Sequence, residues 1–319
     1  MKHRVYLTRR IPEQGINILR KQRYKLAINT LDKPVPYQTL LRQVAHADAL
    51  LCMLSDRIDR GLMDAGRNLK VISAYAVGID NIDVTYASKK GIIVTNTPGV
   101  LTEATAEVTW ALLFACARRV TEADRYVRAG RFKVWGPTLL LGRLMGGKTL
   151  GIIGAGRIGQ SVGQKARAFG MKVLYFNRSR QPSFEKEASA RRASLKQLLK
   201  ESDFITLHLP LTKDTRHFIG LKELRMMKPT AFFVNVARGP IVREADLAYA
   251  LKHNLIAGAG LDVYENEPKV HPGLLKMDNV TLLPHLGSAT VESRTRMAEI
   301  AAENIVAVLK GKQPQFRVN

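Results

Sequence analysis

Short apolar runs alternate along this chain with longer stretches in which apolar residues recur every three or four positions. In the first hundred residues the runs Val5–Thr8, Tyr24–Ile28, Ala49–Met53, Val71–Ala74 and Ile92–Asn96 read as strands. Ile11–Gln22, Tyr37–His46, Asp59–Ala65 and Val84–Lys90 read as the helices between them. Leu101–Val120 predicts one long helix, with Thr102 as its N-cap, that carries the chain away from this first sheet. Strands are expected again at Thr149–Ile153, Lys172–Phe176, Phe204–Leu207, Ala231–Asn235, Ala257–Leu261 and Val280–Leu283. Helices are expected at Ser194–Lys200, capped by Ser194, at Leu221–Met227 and at Glu244–His253. A last helix, Thr290–Leu309, returns the chain to the first sheet. Alternating β and α elements predict parallel sheets covered by helices on both faces, so the fold class is α/β with two doubly wound parallel-sheet domains. The expected domains are 1–99 with 287–319, and 100–286.

The strand at 149–153 runs directly into Gly154-Ala-Gly156-Arg157-Ile158-Gly159. The residues beyond it place Val162, Ala166 and Phe169 at helical spacing before Gly170. In a strand-turn-helix of this kind the first glycine allows a tight turn, the second lets the backbone approach a pyrophosphate, and the third lets helix and strand pack closely. The helix then offers free N–H groups and the positive end of its dipole to an anion. Lys172–Phe176 ends about twenty residues past the glycines, where a dinucleotide-binding βαβ unit meets the adenosine ribose. A dinucleotide is the expected ligand.

Composition narrows the class without choosing a substrate. At 319 residues and 46% hydrophobic content the chain can bury a substantial core. No apolar run approaches the roughly eighteen residues of a membrane span, and the basic N-terminus lacks an apolar signal core. Two cysteines, Cys52 and Cys116, both in apolar surroundings, offer neither a disulfide framework nor a metal pair, so no metal site and a reducing cytoplasm are expected. The 50 Lys and Arg against 27 Asp and Glu give a net charge of +23. Such a field attracts nucleotides, small acids and nucleic acid alike. The basic residues are spread out and lack interleaved aromatics, which argues against nucleic acid as the functional partner.

In an open α/β sheet, ligands bind beyond the carboxyl ends of the strands. Those positions hold Leu54-Ser55 and Val77-Gly78 in the first domain. In the second they hold His208-Leu-Pro210, Val236-Ala237-Arg238, Asp262 to Glu267, and His285 to Ser288. An arginine, a carboxylate and a histidine are thus expected to converge on one cleft between the domains. Reduction of a carbonyl needs a proton for the oxygen and a grip on the substrate, and an anionic substrate favours a bidentate guanidinium. His285 is the natural acid, with Glu267 favouring its protonated form and Arg238 binding the anion. Among the other histidines only His208 also follows a strand, and it is assigned to the wall of the cofactor site. There is no HExxH, Cys/His ligand pair or GxSxG, so metal hydrolysis and serine acyl transfer lack their residues.

The blocks LLCMLSDRID, AYAVGIDNID, GIIVTNTPGVLTEATAE, GKTLGIIGAGRIG, VNVARGPIV, AGAGLDVYENEP and LLPHLGSAT, in that order, resemble the D-2-hydroxyacid dehydrogenase family end to end, most closely its glyoxylate/hydroxypyruvate reductases. The resemblance implies a Rossmann dinucleotide-binding domain inserted in a flavodoxin-like substrate domain, and a homodimer. It implies that Arg238 holds the substrate carboxylate and keto oxygen, that His285 is the acid/base and that Glu267 is its partner. Leu54, Ser55, Val77, Gly78 and Ser288 would join Arg238 around the substrate, a small anionic 2-oxo or 2-hydroxy acid. Gly154, Gly156, Arg157, Ile158, Gly159, Asn177, Arg178, Ser179, His208, Pro210, Thr215, Val236, Ala237, Asp262 and Gly287 would line the cofactor, Asp262 at the nicotinamide amide. Trp135 would approach the neighbouring subunit. Where many NAD-dependent relatives place an Asp at the end of the second strand, this chain has Asn177-Arg178-Ser179-Arg180. Loss of the anion and gain of guanidinium groups suit a 2′-phosphate, so NADP(H) is the expected cofactor, with NAD(H) as the alternative. Reduction of larger 2-ketoaldonates such as 2-ketogluconate, and a nucleotide-sensing role like that of the family's corepressors, are the competing functions.

Overall fold

The apolar runs at the start of the chain become the strands of a five-stranded, wholly parallel sheet. In the computed structural model, which describes residues 2–31 and 33–319, they are β1 (Arg4–Leu7), β2 (Lys25–Ile28), β3 (Ala49–Cys52), β4 (Val71–Ala74) and β5 (Ile93–Thr95). Between them lie α1 (Glu13–Lys21), α2 (Tyr37–Val44), α3 (Arg60–Ala65) and α4 (Val84–Lys89). The order β2-β1-β3-β4-β5 is that of the flavodoxin-like fold. β3 and β4 at its centre are buried at every position, as continuous apolar runs require.

The chain then leaves for a second sheet. Its elements are α5 (Thr102–Ala117), α6 (Val120–Arg128), β6 (Thr149–Ile153), α7 (Arg157–Ala166), β7 (Lys172–Phe176), α8 (Pro182–Ala188), β8 (Ala190–Arg192), α9 (Leu195–Glu201) and β9 (Phe204–Leu207). They continue with α10 (Leu221–Leu224), β10 (Phe232–Asn235), α11 (Glu244–Lys252), β11 (Gly258–Leu261), α12 (Pro272–Leu275) and β12 (Val280–Leu282). Seven parallel strands run β12-β11-β10-β9-β6-β7-β8. Chain direction across the sheet reverses between β6 and β9, which is where open α/β sheets bind ligands. The last helix, α13 (Val291–Leu309), belongs with the first sheet. Thr290 caps it, and it is tied to β4 by the Ser73 hydroxyl donating to Ala301 O at 3.0 Å.

Two compact units result, 1–101 with 289–319, and 102–288, each boundary two residues beyond the expected one. Gly287 stays with the second unit because its N–H donates to Asp262 and its carbonyl accepts from the Thr105 hydroxyl. Both units are parallel α/β sheets, as the alternating pattern predicts. Three local differences have physical causes. The expected helix at 101–120 breaks at Arg119, which adopts a φ of 54° while its guanidinium grips Glu122 at two 2.7 Å contacts, and α6 starts a new direction. Phe169, expected on the helix after the glycines, falls in a closing 3₁₀ turn. The strand β8, with only Ala190 buried, is an edge strand without an apolar pattern to announce it. Among the described residues no helix is long and apolar enough to cross a membrane.

Candidate active site

At the reversal point of the second sheet the glycines of the β6–α7 turn have separate structural reasons. Gly154 has a φ of +100°, and a Cβ there would sit 2.7 Å from the carbonyl oxygen of His208, the residue following β9. A Cβ on Gly159 would lie 2.1 Å from Gly154 O. At Gly156, by contrast, a Cβ would meet nothing within 4 Å. Gly154 and Gly159 close the turn, and Gly156 leaves an open approach at the N-cap of α7, the arrangement a pyrophosphate needs. Arg157 and Ile158 open that helix. Asn177 joins the turn to the end of β7, its Oδ1 accepting from Ala155 N at 3.3 Å and its Nδ2 donating to Ser179 O at 3.1 Å. Opposite, Pro210 O accepts from the Thr215 hydroxyl at 2.7 Å, which folds the segment after His208 into a tight turn. Gly154, Gly156 and Gly159 of the turn, Asn177 after β7 and His208 after β9 thus stand at one switch point, where a dinucleotide would fit, whereas Val236, Ala237, Asp262 and Gly287 follow the strands β10, β11 and β12.

Arg238, Glu267 and His285 follow β10, β11 and β12, three neighbouring strands of the same sheet. His285 Nδ1 lies 2.9 Å from Glu267 Oε2, and Glu267 Oε1 accepts from Tyr264 N at 3.0 Å. Burial works against ionisation of Glu267. The hydrogen bond and charge of His285, the Tyr264 N–H and the Arg238 guanidinium outweigh it and hold the carboxyl below the usual range. Glu267 is thus an anion that fixes the imidazole from its Nδ1 side and leaves Nε2 to exchange a proton.

The loops that carry these three residues are tied together by Asn235, Gly239 and Tyr264, which no sequence pattern singles out, and by Asp262. Asn235, buried at the end of β10, accepts from Ala237 N at 3.0 Å and donates to Arg238 O at 3.1 Å, so it shapes the Val236–Arg238 loop. Gly239 follows because a Cβ there would sit 1.8 Å from the Tyr264 carbonyl: the arginine loop lies directly on the Glu267 loop. The Tyr264 hydroxyl donates to Leu283 O at 2.7 Å and so joins the Glu267 loop to the His285 loop. Burial, with Asp262, Glu267 and Glu244 adding to it, pushes this phenol up to about 12, so it remains a donor. Asp262, wholly buried, accepts from Leu286 N at 2.6 Å and Gly287 N at 2.7 Å. Both carboxylate oxygens of this residue, expected at the nicotinamide amide, therefore already hold the turn after His285, whose own φ is 56°.

A second layer fixes the Glu267 loop from below. Glu244, 5% exposed at the start of α11, accepts from Glu265 N at 3.1 Å and His271 N at 3.2 Å, one at each end of the loop. Glu265 returns the contact, accepting from Glu244 N at 3.0 Å and pairing with His217 Nε2 at 2.5 Å. The sequence signal was present in the acidic run Asp262 to Glu267, but nothing local distinguishes the carboxylate that serves the loop from the one that serves the histidine.

In the first unit, the Leu54-Ser55 turn is braced in the same manner. Buried Asp56 accepts from the Thr8 hydroxyl at 2.5 Å and Met53 N at 2.7 Å, and Asn81 Nδ2 donates to both Met53 O and Asp56 O. Asn81 thereby links that turn to the segment beginning at Val77-Gly78. Trp135 is 74% exposed within its chain.

Known proteins resemble this chain along its whole length. The D-isomer specific 2-hydroxyacid dehydrogenase NAD-binding domain profile matches residues 110–287. The chain is 50% identical over 323 residues to glyoxylate reductase of Thermococcus litoralis, covering all of this chain and 97% of that one. A crystal structure of a Thermus thermophilus protein superposes with a TM-score of 0.94 at 43% identity, covering 99% of this chain and 100% of the other. An NADPH-dependent glyoxylate/hydroxypyruvate reductase of Sinorhizobium meliloti, crystallised with NADP and malonate, gives 0.88 at 29% identity, covering 100% and 97%.

Two outcomes follow from these contacts. Replacing Glu244 with Ala orphans the Glu265 and His271 N–H groups at about 1–3 kcal/mol each. The denaturant midpoint should fall with an unchanged m-value, and a wild-type midpoint would contradict the clamp. His208 has its Nε2 buried with no partner among the described residues, and burial pushes its pKa down to about 3. An unfolded histidine protonates near 6.5, so stability is undiminished above about 6.5 and declines as pH falls from there towards 3. His208→Gln should flatten that decline, and a slope equal to wild type would show that His208 is not its source.

Proposed function

Since the chain belongs to the D-isomer specific 2-hydroxyacid dehydrogenase family, we propose that it reduces glyoxylate and hydroxypyruvate to their 2-hydroxy acids, with NADP(H) preferred over NAD(H). The observation that carries this reading is the 2.9 Å contact of His285 Nδ1 with an ionised Glu267, in loops packed against Arg238. A nicotinamide dinucleotide held at the β6–α7 turn would supply the hydride for the carbonyl carbon. Arg238 binds the substrate carboxylate and keto oxygen through its planar fork. His285 Nε2 delivers the proton to the keto oxygen, and Glu267 stabilises the imidazolium before transfer. In the reverse direction the same nitrogen takes the proton from the hydroxyl.

Cofactor preference follows from the end of β7. Asn177 stands where a carboxylate would bind the 2′-OH and repel a phosphate, and exposed Arg178 follows it. The named Sinorhizobium relative carries NADP. Self-association is assigned to the segment after α6, where Phe132, Val134, Trp135, Leu141 and Leu144 are all exposed within the chain. Contact with a second copy of the chain would take these exposed apolar side chains out of water.

The test is steady-state reduction of glyoxylate, hydroxypyruvate, pyruvate and 2-ketogluconate by the purified protein, each with NADPH and NADH. The expected result is the highest kcat/KM for the first two acids, with NADPH ahead of NADH. Tight nucleotide binding with no turnover of any of the four would overturn the proposal.

A further inference from the structure

The basic stretch after β7 contains two arginines in sequence, Arg178 and Arg180, but their environments differ. The Arg180 guanidinium is held by Glu185, with Nε 2.9 Å from Oε2 and Nη2 2.8 Å from the same oxygen. Glu185 also accepts from the Tyr175 hydroxyl at 2.7 Å, and Arg180 first, then Tyr175, keep its carboxyl below the usual range. The charge of Arg180 is therefore matched on the side of α8.

A different arginine takes its place. Arg192, the last residue of β8, lies in register with Tyr175 of β7. Its Nη2 donates to Arg178 O at 2.8 Å and to Asn177 O at 3.2 Å, the carbonyls of the segment where the chain leaves β7. One nitrogen is thus fixed beneath the loop, which orients the rest of the guanidinium. Among the described residues Arg192 forms no ion pair. Glu185 feels its charge, but that carboxylate is already engaged by Arg180 and Tyr175. Arg192 and Asn177 line one cavity of about 340 Å³ with Phe176 and Gln197. Asn177 is also the residue bonded to the glycine turn, so this cavity adjoins the strand end where the adenosine ribose is read.

We infer that Arg192, together with Arg178, forms the recognition site for a phosphomonoester on the adenosine ribose, and that Arg180 is not part of it. This inference rests on the NADP(H) reading above and names the residue that decides it. A phosphate dianion is matched by guanidinium donors whose charge is not already neutralised. Arg192 is pre-oriented by two backbone carbonyls, whereas Arg178 is an exposed side chain on the loop itself.

The experiment is calorimetric titration of the intact protein with adenosine 2′,5′-bisphosphate and with adenosine 5′-monophosphate. Wild type should bind the bisphosphate more tightly. Arg192→Gln keeps a donor for the two carbonyls and removes the charge. It should weaken the bisphosphate about tenfold or more while leaving the monophosphate within about twofold. Arg192→Lys, which restores a charge without the fork, should recover part of the loss, and Arg180→Gln should change neither ligand by more than about twofold. Wild-type preference retained in Arg192→Gln would overturn the inference. Equal weakening of both ligands would also overturn it, by making Arg192 only a tether of the loop. A wild type that does not distinguish the two ligands would refute the NADP(H) reading itself, and this role of Arg192 with it.

Discussion

The candidate site depends on keeping one partly buried carboxylate charged. Burial alone would drive Glu267 towards its neutral form, in which it would cease to favour a proton on His285. What holds it ionised is the combination of the His285 ring, the Tyr264 N–H and the Arg238 guanidinium, which come from segments following three different strands. The chemistry therefore requires that three loops stay in register. Much of the polar structure around them serves that end: Asn235 shapes the first loop, Glu244 clamps the second, Asp262 holds the third, and the Tyr264 hydroxyl joins the second to the third. Gly239 permits the first to lie against the second.

The nucleotide side of the same sheet follows a similar logic with backbone instead of charge. The turn between β6 and α7 is closed by contacts that tolerate no side chain at Gly154 or Gly159, and Gly156 keeps the helix terminus accessible. A rigid frame with one open approach favours binding because little ordering remains to be done when the ligand arrives. The high positive charge of the chain adds a long-range attraction for anionic substrate and cofactor alike. Selection between cofactors must then come from where individual arginines are held rather than from how many there are.

The parallel sheets were legible because their central strands are short, continuous apolar runs, such as Ala49–Cys52 and Phe204–Leu207, bounded by turn residues. The glycine turn was legible because its spacing has a steric meaning. The break at Arg119 was not, since neither Gly nor Pro stands there and the change of direction rests on the grip of Arg119 on Glu122. β8 has three residues and a single buried side chain, too little for any periodicity. With no periodicity to announce β8, nothing in the sequence singles out Arg192, whose position depends on pairing with β7. Arg178 and Arg180 look alike in sequence, and what separates them is Glu185, five positions beyond Arg180 on α8, a helix that no apolar period announces. The roles of Asp262 and Glu244 were obscured by distance along the chain, as both act through hydrogen bonds to residues more than twenty positions away.

The most direct test of the central claim, that Glu267 holds His285 as the proton donor, is single-turnover reduction of glyoxylate at saturating NADPH by His285→Ala, with nucleotide affinity measured in parallel by fluorescence titration. The rate should fall by roughly 10²- to 10⁴-fold with nucleotide affinity unchanged. A rate near that of wild type would contradict the claim.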